Sequence, residues 1–403
     1  MKIGILEICT HTHYSAINGL IKTYSTDPSN SIVVYTIEPI AKAIQENTIT
    51  DNTTVVIFEN GTSQNTGESK DASHFLKEIE QTYYDRLHIC TIENYYKEFS
   101  HFKPHVNEVI FHVHNIDIWF DSHWKNNLKN LFFNLKNKPN ILRETAKYIR
   151  DILIRNPRRD KILSDIQAKS HSFIVHSTGQ KQYLSSFVEE KSIIIFPFAI
   201  NEGIEKPLCE SSKSEKIRIC IPGIVTDMRR DYSGLFKILE SIIPDIKGKL
   251  VFDFLGFVEK KEPELLQKIQ NLEKQGLEVI YYTEFVYGKK YDAALEKADI
   301  LLNNQKVTTS FTTKYGVSKE SGMLFNMIRG SKPAIFPIEY AVDKEFEDIL
   351  LYYNSEKELT GIIVGLANGQ IEIEKYRLKA AEIAQHYTPH NLYGRLVKEG
   401  IEV

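Results

Sequence analysis

A chain of 403 residues is too long for one hydrophobic core and is expected to fold as about two or three domains. Its 42% hydrophobic and 26% charged residues suit a globular protein, and a net charge of -3 excludes a general electrostatic pull toward nucleic acid. The start, "MKIGILEICTH", lacks a basic stretch followed by a cleavable apolar core, and there is no apolar run of about 18 residues, so neither export nor a membrane-spanning helix is expected.

In chain order, "KIGILEIC", "SIVVYTI", "TTVVIFE", "LHICTI", "EVIFHVH", "SFIVHS" and "SIIIFPF" read as strands of the first half. Between them, "ASHFLKEIEQTYYD" and "TGQKQYLSSFVE" carry helical spacing. Residues 199–214, rich in Glu, Ser and Lys, form the expected linker. The alternation then resumes with strands "IRICIPGIV", "LVFDFLGF", "LEVIYYTEF", "DILLNNQ", "PAIFP" and "ILLYYN", and with helices such as "YSGLFKILESII" and "PELLQKIQNLEKQG". Such alternation predicts parallel sheets covered on both faces by helices. The expected fold class is α/β, two doubly wound Rossmann-like domains facing a central cleft. The domains are placed at 1–198 and 199–380. Residues 381–403, with Tyr387, Leu392, Tyr393 and Leu396 at helical spacing, are expected to return as a helix to the first domain.

Ligands of doubly wound sheets bind beyond the carboxyl ends of the strands, so the loops there carry the functional reading. In "IRICIPGIVTDMRRDYSGLFKILESI" a strand ends at Gly223, and Asp227, Arg229 and Arg230 precede a helix. Guanidinium groups so placed suit a diphosphate, since each forks onto two oxygens, or they solvate a helix entrance. In "ADILLNNQKVTTSFTTKYGVSKESG" a polar loop with Lys314, Lys319 and Glu320 leads to Ser321 and Gly322 at a helix start, where free N–H groups and the helix dipole favour an anion.

Histidines cluster near the strand ends of the first half. His112 and His114 alternate, so they point to opposite faces, and His114, beside Asn115, is the candidate for the cleft; a satisfied structural histidine is the alternative. His11, His13 and Tyr14 in "CTHTHYS" are candidates for an acceptor. A metal reading of Cys9, His11 and His13 lacks a partner cluster elsewhere. Cys9, Cys90, Cys209 and Cys220 form no C-x-x-C pair and read as buried thiols in a reducing cytoplasm. Residues 141–163 hold seven Lys/Arg against three Asp/Glu with Ile and Leu at helical spacing, which suits a solvated helix over a sheet or a helix touching an anionic membrane surface.

The segments "FHVHNIDIWF", "FIVHSTGQKQYLSSFVEEKSIIIFPFAI", "IPGIVTDMRRDYSGLFKIL", "YDAALEKADILLNNQ" and "KYGVSKESGMLFNMIRGSKPAIFP" together resemble the GT-B glycosyltransferases, specifically the family 4-like group that uses nucleotide-diphosphate sugars. The resemblance implies a metal-independent, hexosyltransferase-type enzyme with no cofactor beyond its nucleotide-sugar substrate. It implies transfer to a carbohydrate or lipid-linked acceptor in surface polysaccharide or glycoconjugate assembly, in the cytoplasm or peripherally at the inner face of the membrane. It assigns catalysis to His114, Arg229 and Lys314. The donor falls to Gly223, Arg229, Arg230, Lys314, Lys319, Glu320, Ser321 and Gly322, and the acceptor side to His11, His13, Tyr14 and Asn115. The group's two glutamates spaced eight apart are missing, with Phe325 at the second position, and "THTHYSAING" replaces its Gly-Gly. A nucleotide-sugar epimerase of the same fold and an inactive GT-B-like binding subunit are the alternatives.

Overall fold

Among the described residues thirteen strands form, seven in one parallel sheet and six in another. The structure, a computed structural model, describes residues 1–48, 50–59, 70–121, 124–137, 149, 159–162, 171–202, 216–286 and 288–398. Most of the linker stretch 199–214 and of the basic stretch 141–163, together with Cys209, lies outside the described residues.

The first sheet comprises β1 (Lys2–Glu7), β2 (Ser31–Ile37), β3 (Thr53–Phe58), β4 (Tyr83–Ile89), β5 (His105–His112), β6 (His171–Val175) and β7 (Ile193–Ile195), in the order β3-β2-β1-β4-β5-β6-β7. The second comprises β8 (Ile217–Cys220), β9 (Leu250–Phe257), β10 (Glu278–Tyr282), β11 (Ile300–Leu302), β12 (Ala334–Pro337) and β13 (Leu350–Tyr353), in the order β10-β9-β8-β11-β12-β13. Every neighbouring pair is parallel. Central strands covered on both faces must be apolar at successive positions, and Ile3, Ile5, Leu6, Ile110, Phe111, Phe252, Phe254 and Leu301 are all fully buried. Each such side chain contributes about 1.5–3 kcal/mol. In both sheets the first strand of the unit lies inside and the strand order reverses beside it, between β1 and β4 and between β8 and β11. Loops at these two points have room for a ligand.

β4 begins at Tyr83, earlier than "LHICTI", because polar residues in it find buried partners. Arg86 pairs with Glu108 of β5 at 2.9 Å and donates to the Leu396 carbonyl at 2.9 Å.

The chain divides into two units. The first holds Met1–Phe198, Ser310–Glu320 and the residues from Pro389 onward; the second holds Ala199–Thr309 and Ser321–Thr388. Two expectations change here. The segment carrying Lys314, Lys319 and Glu320 belongs to the first unit, tied there by hydrogen bonds from Ile116 N to the Ser318 carbonyl at 3.0 Å, from Thr313 Oγ1 to Asp117 Oδ2 at 2.6 Å and from Asn130 Nδ2 to Thr312 Oγ1 at 2.8 Å. The return to the first unit starts at the helix Pro389–Lys398 and not at 381. Tyr393 donates to Asp27 at 3.0 Å, whereas Tyr387 stays in the second unit, stacked on Phe346 at 5.6 Å with its hydroxyl on Glu345.

Candidate active site

In the first unit the loop after β1 is built around a carboxylate. Glu7 ends the strand and is fully buried. Its Oε1 accepts from Cys9 N at 2.8 Å and Thr10 N at 3.2 Å, and its Oε2 lies 2.6 Å from His13 Nδ1. Asn94 pins the same loop by donating to the Cys9 carbonyl at 2.5 Å. His13 stands just before the helix Tyr14–Tyr24, with its carbonyl accepting from Ala16 N and Ile17 N. A carboxylate only accepts, so Nδ1 carries the ring proton and Nε2 carries the lone pair. The side chain is 15% exposed.

Beside it lies a row of histidines at the carboxyl ends of β4, β5 and β6. The His13 and His114 rings are 4.4 Å apart, and Phe198 caps His13, His114 and His176 at 5.4–5.6 Å. His114 Nε2 donates to the Cys90 carbonyl at 3.1 Å, His176 Nδ1 donates to the Phe196 carbonyl at 2.9 Å, and the two remaining nitrogens meet at 2.9 Å. Three contacts ask for three ring protons, one more than two neutral rings hold. Burial keeps the third away at neutral pH, pushing His176 down to about 4 and His114 well below the usual imidazole range. A deeper pair, His88 and His112, meets at 3.0 Å with Tyr24 on His88 at 2.8 Å, and burial pushes His88 down to about 3.

Both nitrogens of His114 lie within hydrogen-bond distance of protein groups, the Cys90 carbonyl and His176 Nε2, which suits the structural alternative for this residue. Of the acceptor candidates, His11 is exposed, Tyr14 bonds Thr48 at 2.9 Å, and Asn115 donates to Glu93 at 3.3 Å and pairs as an antiparallel bridge with Lys319. Lys314 is exposed, Lys319 lies over the Tyr315 ring at 5.9 Å, and Glu320 is buried. Glu7 carries the geometry of this loop and escapes a motif search, because its only mark is an acid ending an otherwise apolar strand.

In the second unit the loop after β8 is shaped by glycine. Gly223 has φ 107°, and a Cβ there would strike the Arg230 guanidinium. Gly256 of β9 lies under the Gly223 backbone with no room for a Cβ. The stretch ending the loop pairs with the strand end after β11: Asp231 N donates to the Asn304 carbonyl at 2.9 Å and Lys306 N to the Arg229 carbonyl at 3.0 Å. Arg230 is thereby laid along Gly223, whereas Arg229 is exposed.

Two helix starts of the second unit differ in charge. The helix Tyr232–Ile246 spends its N–H groups on the protein's own carboxylates: Asp227 takes Tyr232 N at 2.8 Å and Ser233 N at 3.0 Å, and Asp231 takes Gly234 N at 3.0 Å. The helix Gly322–Gly330 has no acid in its first turn; Ser321 caps it neutrally, accepting from Met323 N at 3.0 Å. No atom lies within 4 Å of where a Gly322 Cβ would stand, so the backbone there is open to close approach. Of the two, the second helix start carries no acid in its first turn, an arrangement that suits an anion. A cavity of about 290 Å³ beside the Arg229–Lys306 pairing is bordered by Asp231, Glu339 and Glu356 against Lys306, a net negative lining that does not suit a diphosphate.

Among the described residues no group of three or more His, Cys, Asp or Glu is placed to hold a metal, and no helix is long and apolar enough to cross a membrane. Cys9, Cys90 and Cys220 are buried free thiols.

No protein-family profile matches the chain, and no curated protein matches it closely enough to count as a relative. Solved structures do. HepE of Anabaena, in complex with UDP, superposes with a TM-score of 0.61 at 11% identity over 99% of both chains. A glycosyltransferase of Rickettsia africae gives 0.59 at 12% identity over 99% of this chain and 97% of that one. The chain has the GT-B fold. A protein described as a UDP-N-acetylglucosamine 2-epimerase, from Listeria monocytogenes, shares it at a TM-score of 0.55 and 10% identity, over 98% of this chain and 94% of that one.

Proposed function

We propose that the protein is a glycosyltransferase that moves a hexose from a nucleoside-diphosphate donor to a hydroxyl of a carbohydrate or lipid-linked acceptor, in surface polysaccharide or glycoconjugate assembly. The observation that carries this reading is that the exposed Arg229 guanidinium and the helix start at Ser321–Gly322, with no acid in its first turn, both follow carboxyl ends of strands of the second sheet. Charge builds on the diphosphate as its bond to the sugar breaks. Preorganised donors aimed at such developing charge commonly lower the barrier more than any other single effect. The same groups bind the diphosphate without a metal. HepE, on the same fold, is seen with UDP-glucose, which supports this donor class.

An epimerase on this fold needs carboxyl groups free to move protons. The acids beside the loop after β8 are held instead by backbone N–H groups: Asp227 and Asp231 at the helix start, and Glu262 by Asp227 N at 2.7 Å. That favours transfer.

The test is a thermal-shift screen of the whole chain with UDP, GDP, ADP and CMP at millimolar concentration. A ligand that binds only the folded chain stabilises it by mass action, so one diphosphate should raise the midpoint clearly above the others. No shift with any of them would favour an inactive binding subunit.

A further inference from the structure

We propose that the cavity of about 290 Å³ in the second unit is a binding site for one neutral sugar ring, separate from the groups assigned to the diphosphate. The site does not depend on the transferase reading. Its walls all belong to the second unit: the ends of β11, β12 and β13 and the starts of the helices Tyr232–Ile246 and Glu356–Ala367. A volume of this order is at the small end of ligand cavities and suits a single ring.

The frame is set by backbone bonds made without a ligand. Asp231 N donates to the Asn304 carbonyl at 2.9 Å, and the Tyr353 hydroxyl donates to the Asn303 carbonyl at 2.9 Å. The positive groups of the walls are already spent. Asp231 Oδ1 takes Gly234 N at 3.0 Å, Ser355 Oγ takes Glu358 N at 3.3 Å, and Glu356 and Glu358 stand in the first turn of the later helix. Lys306 donates to the Asp227 carbonyl at 2.7 Å. An anion therefore finds no unanswered donor at either helix start.

The remaining polar groups ask for hydroxyls. The carboxylates of Glu339 and Glu356, on exposed residues of the rim, only accept, so a ligand must donate to them. Asn304 adds a second demand. It borders the cavity at 4% exposure, and neither its amide oxygen nor its amide nitrogen has a hydrogen-bond partner among the described residues; Gln305 Oε1, next along the chain, has none either. A buried amide left unpaired is costly, and pairing it takes a group that both donates and accepts. A hydroxyl does both, whereas an ammonium only donates and an ionised phosphate only accepts. Leu235, Val307, Ile338 and Leu359 complete the lining with aliphatic surface, which matches the C–H faces of a pyranose ring.

Saturation-transfer NMR and calorimetry of the whole chain with methyl glucoside, methyl galactoside, methyl mannoside and N-acetylglucosamine test this. At least one should bind at millimolar concentration, with the same affinity in millimolar UDP or GDP and in Arg229→Ala. Glu339→Ala combined with Glu356→Ala removes two exposed acceptors without touching the core, and should weaken binding at least about tenfold. Asn304→Leu should abolish binding while its urea midpoint stays at or above the parent's, because an amide without a protein partner adds nothing to the fold. No binding of any of the four sugars overturns the site, as does binding that both variants leave unchanged. Binding displaced by UDP or GDP would place the sugar with the diphosphate and overturn a separate site. Binding of glucosamine with none of the neutral sugars overturns the neutral ligand. Absence of any diphosphate shift in the thermal screen would overturn the transferase reading and not this site.

Discussion

After β1 the chain turns its charge inward, and after β8 it turns its charge outward. The first loop folds around the Glu7 carboxylate, whose two oxygens collect Cys9 N, Thr10 N and the His13 ring. The second loop is held by backbone conformation, with Gly223 at φ 107° making room for Arg230 and leaving the neighbouring Arg229 in solvent. Both loops follow the first strand of their sheet and stand where the strand order reverses. The same topological position therefore hosts either a buried carboxylate–histidine pair or an exposed arginine, depending on whether the loop's own hydrogen bonds consume its charge.

The largest effect should come from the outward charge. Arg229→Ala should lower turnover about 100-fold or more, roughly 2.7 kcal/mol or above, by analogy with lost oxyanion donors. Arg229→Lys should recover part of it, since an ammonium keeps the charge without the planar fork. Release of nucleoside diphosphate is the assay, with circular dichroism confirming the fold, and parental turnover in Arg229→Ala would break the contrast.

Next comes the backbone device. Gly223→Val meets both a left-handed backbone and the Arg230 guanidinium, and should cost about 2 kcal/mol in urea unfolding. Gly322→Ala sharpens the point: nothing stands within 4 Å of its new methyl, so stability should hold while diphosphate binding falls. Equal stability of Gly223→Val and the parent would show that glycine does not set this loop.

The smallest effect belongs to the inward side. His176 and His88 are pushed down to about 4 and about 3 in the folded chain, below the ordinary value near 6.5. The unfolded chain therefore takes up their protons first as pH falls. Their contribution is intact above about 6.5, and each ring loses about 1.4 kcal/mol per pH unit as pH falls from there toward its folded value. Urea midpoints at pH 7.5 and 5.5 measure this, and replacing His176 by Asn should flatten the decline. A decline unaltered by that replacement would assign it to carboxylates.

The strands were legible because their burial on both faces demands unbroken apolar runs, as in "SIVVYTI" and "LVFDFLGF". The start of β4 was not, since Arg86 belongs in a strand only once Glu108 and the Leu396 carbonyl are beside it. The Thr-rich segment before Ser321 was legible as a loop, but it has no periodicity, and its membership of the first unit is decided by Thr313 meeting Asp117 and Thr312 meeting Asn130, partners remote in sequence. Arg229 with Arg230, and Ser321 with Gly322, are two separate pairs each adjacent along the chain, so each is read without tertiary partners. The Glu7–His13 pair was half visible: the histidine stood out, whereas the glutamate became its partner only through the turn after β1.

The central claim is that the exposed arginine and the acid-free helix start of the second unit take a nucleoside diphosphate. Calorimetric titration of the whole chain with the diphosphate favoured by the screen, beside the same titration of Arg229→Ala, tests it most directly. The account predicts one site per chain in the parent and an affinity at least about tenfold weaker in the variant, a loss of about 1.4 kcal/mol or more. Equal affinity in the two, or no heat from any diphosphate in the parent, would contradict it.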